Sequence, residues 1–195
     1  TGGKHAGENL SDVLAQRAAE LETPIQMCDG LSRNLPKEFE VILARCNAHA
    51  RRGFVDVTPM FPDECRHVLE IFAEVYKNDG LAKEQKMSLE ERLVFHQVNS
   101  GPVMKKLEGW LHEQLDEKKV EENSGLGQAI QYTIKHWAQL TLFLRVPGAP
   151  IDNNAAERIL KKAILHRKAS LFFKTEKGAQ VGDLFMSLIH TCELC

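Results

Sequence analysis

No run of about 18 uncharged apolar residues occurs in the sequence, so nothing in it reads as a membrane-spanning helix. Net charge is nearly absent as well: 25 Lys and Arg stand against 27 Asp and Glu, a formal −2. Internal repeats and low-complexity tracts are missing, while apolar residues reach 43%. That combination excludes a collagenous or disordered polypeptide and points to one soluble globular body able to bury a core. Aromatic residues are scarce at 7%, and Trp110, Tyr132 and Trp137 are read as filling helical cores rather than stacking bases. The five cysteines, Cys28, Cys46, Cys65, Cys192 and Cys195, are odd in number and scattered. With no recognisable secretory leader, they read as reduced thiols in a cytoplasmic protein. The chain opens on Thr1-Gly2-Gly3 without methionine, which suggests a piece of something longer.

What is present is uneven. Residues 60–124 carry 14 acidic and 9 basic side chains. Residues 155–182 carry only Glu157 and Glu176 against Arg158, Lys161, Lys162, Arg167, Lys168, Lys174 and Lys177. Such a local cationic concentration attracts a polyanion although the whole chain is slightly acidic; a solvated helix face is the ordinary alternative.

Hydrophobic spacing predicts a helix over 7–21, with Leu10, Val13, Leu14, Ala18 and Leu21 on one side. Two short apolar runs follow, 24–28 and 39–43, both read as strands. Their connection, about 30–37, is shorter than the dozen residues a parallel crossover needs. From Pro62 the pattern turns helical. Val68, Leu69, Phe72, Val75 and Tyr76 make one stripe, Ser88 with Glu91 forms a capping box, and Pro102 suits the first turn of a third helix. Leu126, Ile130, Ile134, Trp137, Thr141 and Leu144 make a fourth stripe, ending at Pro147-Gly148-Ala149-Pro150. A further helix, capped by Asp152 or Asn153, should turn Ile159, Leu160, Ala163 and Ile164 inward. The last should pack Val181, Leu184, Phe185, Leu188, Ile189 and Cys192. The expected organisation is a partial α/β core over 1–59, a helical insertion over 60–146, and C-terminal core helices over 147–195.

Two carboxylates stand out. Asp29 sits where the first strand stops, at a Gly that permits a tight turn, and strand-end carboxylates collect in active-site crevices; an Asp-Gly turn is the plain reading. Glu157 lies in the first turn of a predicted helix, where its plain role is to complement the helix dipole. Together, beside a cationic surface, a strand-end and a helix-borne carboxylate can bind hard divalent ions and hold a phosphodiester against them. His49, Arg51 and Arg52 form a polar cluster able to touch phosphate, with ordinary surface ion pairs as the alternative. Cys46-x-x-His49 and Cys192-x-x-Cys195 each have half the spacing of a zinc site. No Ser-His-Asp or Cys-His constellation can be placed from one sequence, and Gly2-Gly3-Lys4 lacks the spacing of a phosphate loop.

Several long motifs occur in one order: TGGKHAGENL at 1–10, CDGLSRNLP at 28–36, CNAHARRGFVDV at 46–57, SGLGQAI at 124–130, PGAPIDNNAAER at 147–158, and KAILHRKASLFFKT and GAQVGDLFMSLIHTCEL near the end. With them the chain resembles transposases of the bacterial insertion sequence 66 family over essentially its whole length. The resemblance implies a ribonuclease-H-like fold with an Asp, Asp, Glu triad holding two Mg²⁺ (or Mn²⁺) ions. Asp29 matches the second aspartate, at the end of the fourth core strand, and Glu157 the glutamate in DNNAAER. It also implies that Arg158, Lys161, Arg167 and Lys168 lie near the DNA backbone, and that the helical stretch is an insertion between the two carboxylates.

The first aspartate of that triad would lie upstream of residue 1; Asp12, in the predicted helix, belongs to the wrong element. Three core strands and the upstream end-binding region are likewise missing from the sequence, so an incomplete, predominantly helical α/β core is expected, inactive by itself. Glu122, Ala169 and Phe173 depart from the family's usual proline, asparagine and tyrosine. The implied partners are transposon-end and target DNA, further copies of the chain, and accessory transposition proteins, in a cytoplasmic, nucleoid-associated setting. Two rival readings are a non-catalytic DNA- or protein-binding remnant and a zinc-stabilised helical domain.

Overall fold

Ile25–Cys28 (β1) and Ile42–Arg45 (β2) pair in parallel, Ile25 opposite Ile42 and Cys28 opposite Arg45. The second strand therefore begins at Ile42 rather than Phe39. Residues 29–41 are left to connect the strands, which resolves the difficulty of too short a crossover. The computed structural model describes residues 6–18, 20–28, 35–36, 38–169 and 175–194. Among these the chain is predominantly helical around a two-stranded parallel sheet, and no helix is long and apolar enough to cross a membrane.

The chain divides into two compact units. One comprises residues 22–31 and 40–152. Here α2 (Asn47–Val57) leaves β2 directly, followed by α3 (Pro62–Glu84), α4 (Leu89–Asn99), α5 (Gly101–Asp116), α6 (Gly125–Lys135) and α7 (Trp137–Leu140). Their buried faces follow the helical repeat: Cys65, Val68, Phe72 and Val75 on α3; Met104, Leu107 and Leu111 on α5; Leu126 and Ile130 on α6. With Phe54 and Phe143 these form one continuous core.

Local chemistry sets the helix ends. The Ser88 hydroxyl accepts from the Glu91 amide at 3.2 Å, while the Glu91 carboxylate accepts from the Ser88 amide at 2.8 Å, the reciprocal cap read from the sequence. Ser124 caps α6 by accepting from Gly127 N–H at 3.0 Å. The long fourth stripe, by contrast, is not one helix. At His136 the amide is shared between the Ile134 and Tyr132 carbonyls, α6 ends, and the chain continues as α7 and a 3₁₀ turn at Leu142–Leu144.

SGLGQAI is a packing motif. A Cβ on Gly127 would lie 2.2 Å from the Glu121 carbonyl oxygen, and one on Gly125 would lie 2.8 Å from Val57 Cγ1. Backbone cannot yield as a side-chain tip can, so Gly127→Ala is expected to cost about 1–3 kcal/mol. Denaturant unfolding at neutral pH checks this; an unchanged midpoint would contradict it.

The second unit comprises residues 1–21, 32–39 and 153–195. Its elements are α1 (Ala6–Leu14), α8 (Asn154–Ala169) and α9 (Glu176–Leu194). The first helix stops at Leu14 rather than Leu21, because the Gln16 and Arg17 amides wind down onto Val13 and Leu14 three residues back. Two further expectations are corrected here. Leu160 and Ile164 of α8 do not face inward, and Val181, Leu184, Phe185, Leu188 and Ile189 of α9 are exposed, Phe185 to 60%. The described residues of this unit include no strand.

Candidate functional site

Glu157 stands in the first turn of α8, half-buried, where the unpaired amide ends of the helix favour a carboxylate. Its amide donates to the Asn153 carbonyl at 3.0 Å. Arg158, Lys161 and Lys168 of the same helix are exposed, while Lys162 is engaged by Glu193 of α9 at 3.0 Å. Arg167 lies on α8 with its side chain outside the described residues. Asp29 also lies outside the described residues; Cys28, immediately before it, is buried at the end of β1. A carboxylate such as Glu157 is the hard oxygen donor that Mg²⁺ or Mn²⁺ takes.

His49, Arg51 and Arg52 are carried by α2 in the other unit. The two arginines are exposed, and half-buried His49 lines a groove of about 470 Å³ between α2 and α6 with Gly53, Gln128 and Tyr132. Near the C-terminal end of α6, burial first, then Arg45 and Lys135, hold the His136 imidazole below its usual range. Cys46 is buried at the head of α2 and Cys192 is exposed on α9; they fall in different units, and Cys195 lies outside the described residues.

Sequence reasoning missed a buried polar cluster. Asp79 of α3 accepts from Arg92 at 2.6 and 3.1 Å and pairs with Lys83 at 2.5 Å. His96 Nε2 lies 3.4 Å from the same carboxylate, and His96 Nδ1 lies 3.0 Å from Ser100 Oγ. Burial alone would raise the Asp79 pKa, but hydrogen bonds from His96, Lys83 and Arg92 outweigh it and hold the carboxyl far below its ordinary range. Asp79, His96 and Ser100 follow the Ser-His-Asp order, yet all three are buried. The cluster ties α3 to α4 and, through Arg92, to the Ala149 carbonyl. The available signal was a carboxylate on an apolar stripe, Asp79 falling four residues after Val75.

The Tyr76 hydroxyl, also on α3, is buried beside Asp152. Burial, then the neighbouring Asp152 carboxylate, push its phenol well above the usual range.

No solved structure matches the chain. Among curated proteins it is 38% identical to the uncharacterized protein y4jD of Sinorhizobium fredii strain NGR234, over 154 residues covering 78% of this chain and 29% of the relative. It is 27% identical to y4hP of the same organism, over 81% of this chain and 30% of that protein. The chain thus spans under a third of the length of the relatives it matches. The family model described as "Transposase IS66 family" matches residues 4–181, a stretch that takes in the helical unit and the glutamate-bearing α8, and the chain belongs to that family.

Proposed function

We propose that this chain is part of the catalytic region of a DNA transposase, with a ribonuclease-H-like core completed by residues beyond this 195-residue stretch. The observation that carries the reading is the family match over residues 4–181, which includes both Asp29 and Glu157. In this reading the two side chains, with a third carboxylate from elsewhere in the protein, hold Mg²⁺ or Mn²⁺. When bound, the ions activate the attacking oxygen and stabilise the leaving one. Arg158, Lys161, Arg167 and Lys168 neutralise phosphates beside that site, and His49, Arg51 and Arg52 contact the backbone from α2. Transposon ends and target DNA are the substrates, further copies of the chain and accessory transposition proteins the partners, and the bacterial cytoplasm the setting. The 195 residues alone are inactive in strand transfer.

The test uses the chain with a labelled duplex, titrated at several salt concentrations. Log affinity should fall with log salt, and replacing Arg158, Lys161 and Lys168 together by alanine should flatten the slope by about 0.9 for each phosphate no longer neutralised. An unchanged slope removes α8 from the DNA surface. Salt-dependent binding accompanied by no Mg²⁺-dependent nicking, even in a longer copy containing the upstream region, selects the non-catalytic remnant instead.

A further inference from the structure

The four residues from Ala149 to Asp152 are approached by side chains of three different helices. Arg92 of α4 donates from Nη1 to the Ala149 carbonyl at 2.8 Å, while its Nε and Nη2 hold Asp79. Asn47, at the start of α2, meets the Ile151 carbonyl twice, through its backbone amide and its side-chain Nδ2, both at 3.0 Å; Nδ2 also reaches the Leu140 carbonyl at 3.0 Å. Tyr76 of α3 faces Asp152. Ala149 and Ile151 are buried. Just before them, Gly148 adopts φ +77°, where a Cβ would meet Leu89 of α4 at 3.4 Å. Two residues after Asp152, α8 begins at Asn154 and carries Glu157 in its first turn.

Arginine suits this place because its planar fork can serve a carboxylate and a main-chain carbonyl at once. A buried ion pair is weak support for stability compared with apolar residues of similar volume. Here the pair also holds a carbonyl 57 positions away in the chain. The Asn47 contacts span 93 and 104 positions.

We infer that Asn47 and Arg92 are positioning residues for Glu157: by holding the Ala149 and Ile151 carbonyls they fix the point from which the chain runs into α8, and Asp79 acts through Arg92. This rests on the proposed role of Glu157.

Arg92→Lys keeps a positive charge opposite Asp79 but cannot serve both acceptors. In the 195-residue chain, this variant should speed amide hydrogen exchange across residues 149–158 by about tenfold or more, with α5 amides as protected as in the parent. In an intact copy, strand transfer should fall by about 10²-fold, as misplacement of a reacting group does, with affinity for DNA ends within about twofold. Asn47→Ala tests the second anchor independently and should give the same signature if Arg92→Lys does not fold. Unchanged exchange at 149–158 in either folded variant, or faster exchange spread equally over α5, overturns the inference. Faster local exchange with full strand transfer overturns the positioning role and leaves the clamp. Full transfer by Glu157→Gln instead sinks the assignment of Glu157.

Discussion

Asp79→Ala lowers the stability of the helical unit by about 3–5 kcal/mol, the range found when one partner of a buried ion pair is removed. The loss is large because Arg92 and His96 remain without the carboxylate they face, and Arg92 stays inside the fold with its other bond to Ala149. Thermal or urea unfolding at pH 7 measures it; a change within about 0.5 kcal/mol, the range of ordinary surface substitutions, would show that the cluster is dispensable. The pH dependence has a definite sign. The folded Asp79 carboxyl titrates below its unfolded value, so its contribution is complete above the ordinary carboxylate range. It is lost as the pH falls through about 4 and below, so the difference between parent and variant should shrink there.

Under the proposed assignment, Glu157→Gln in an intact transposase cuts strand transfer by at least about 10²–10³-fold, the scale on which removing one preorganised electrostatic stabiliser acts. The substitution keeps size and hydrogen-bonding reach but deletes the negative charge and one hard oxygen donor, so binding to DNA ends should change less than about twofold. Asp29→Asn should behave alike. Labelled end DNA incubated with Mg²⁺ reports both joining and binding, and joining at the parental rate in the glutamine variant would refute the role. In the first turn of α8 glutamine keeps the size of the side chain and gives up about 0.3–1 kcal/mol of dipole interaction.

Much of the helical unit is legible in the sequence because its signals are local. The Ser88–Glu91 reciprocal cap, Pro102 in the first turn of α5 and the stripe from Val68 to Val75 involve residues three or four apart, within reach of one helical turn. The start of β2 is harder to place because Phe39 to Leu43 is a short apolar run, and the pairing partner, not composition, decides which residues extend. The long stripe through Trp137 hides the break at His136, since three short helical pieces can share one apolar side. On α8 and α9 periodicity identifies an apolar face but cannot say whether anything lies against it. As for the site, Glu157 is read from its motif, and Asp29 falls outside the described residues. Asp79, Arg92 and Asn47 escape notice because their partners lie 13, 57 and 104 positions away.

The backbone bond from Asn47 to Ile151 has a topological consequence. The chain departs from β2 and comes back to nearly the same spot 104 positions later, so the excursion is closed at its neck. Lengthening or shortening such a loop changes its closure entropy only logarithmically. The neck, however, is held by Asn47 and Arg92, which belong to the enclosed helices, and those helices share one core with the strands, so the closure and the helical body stand or fall together.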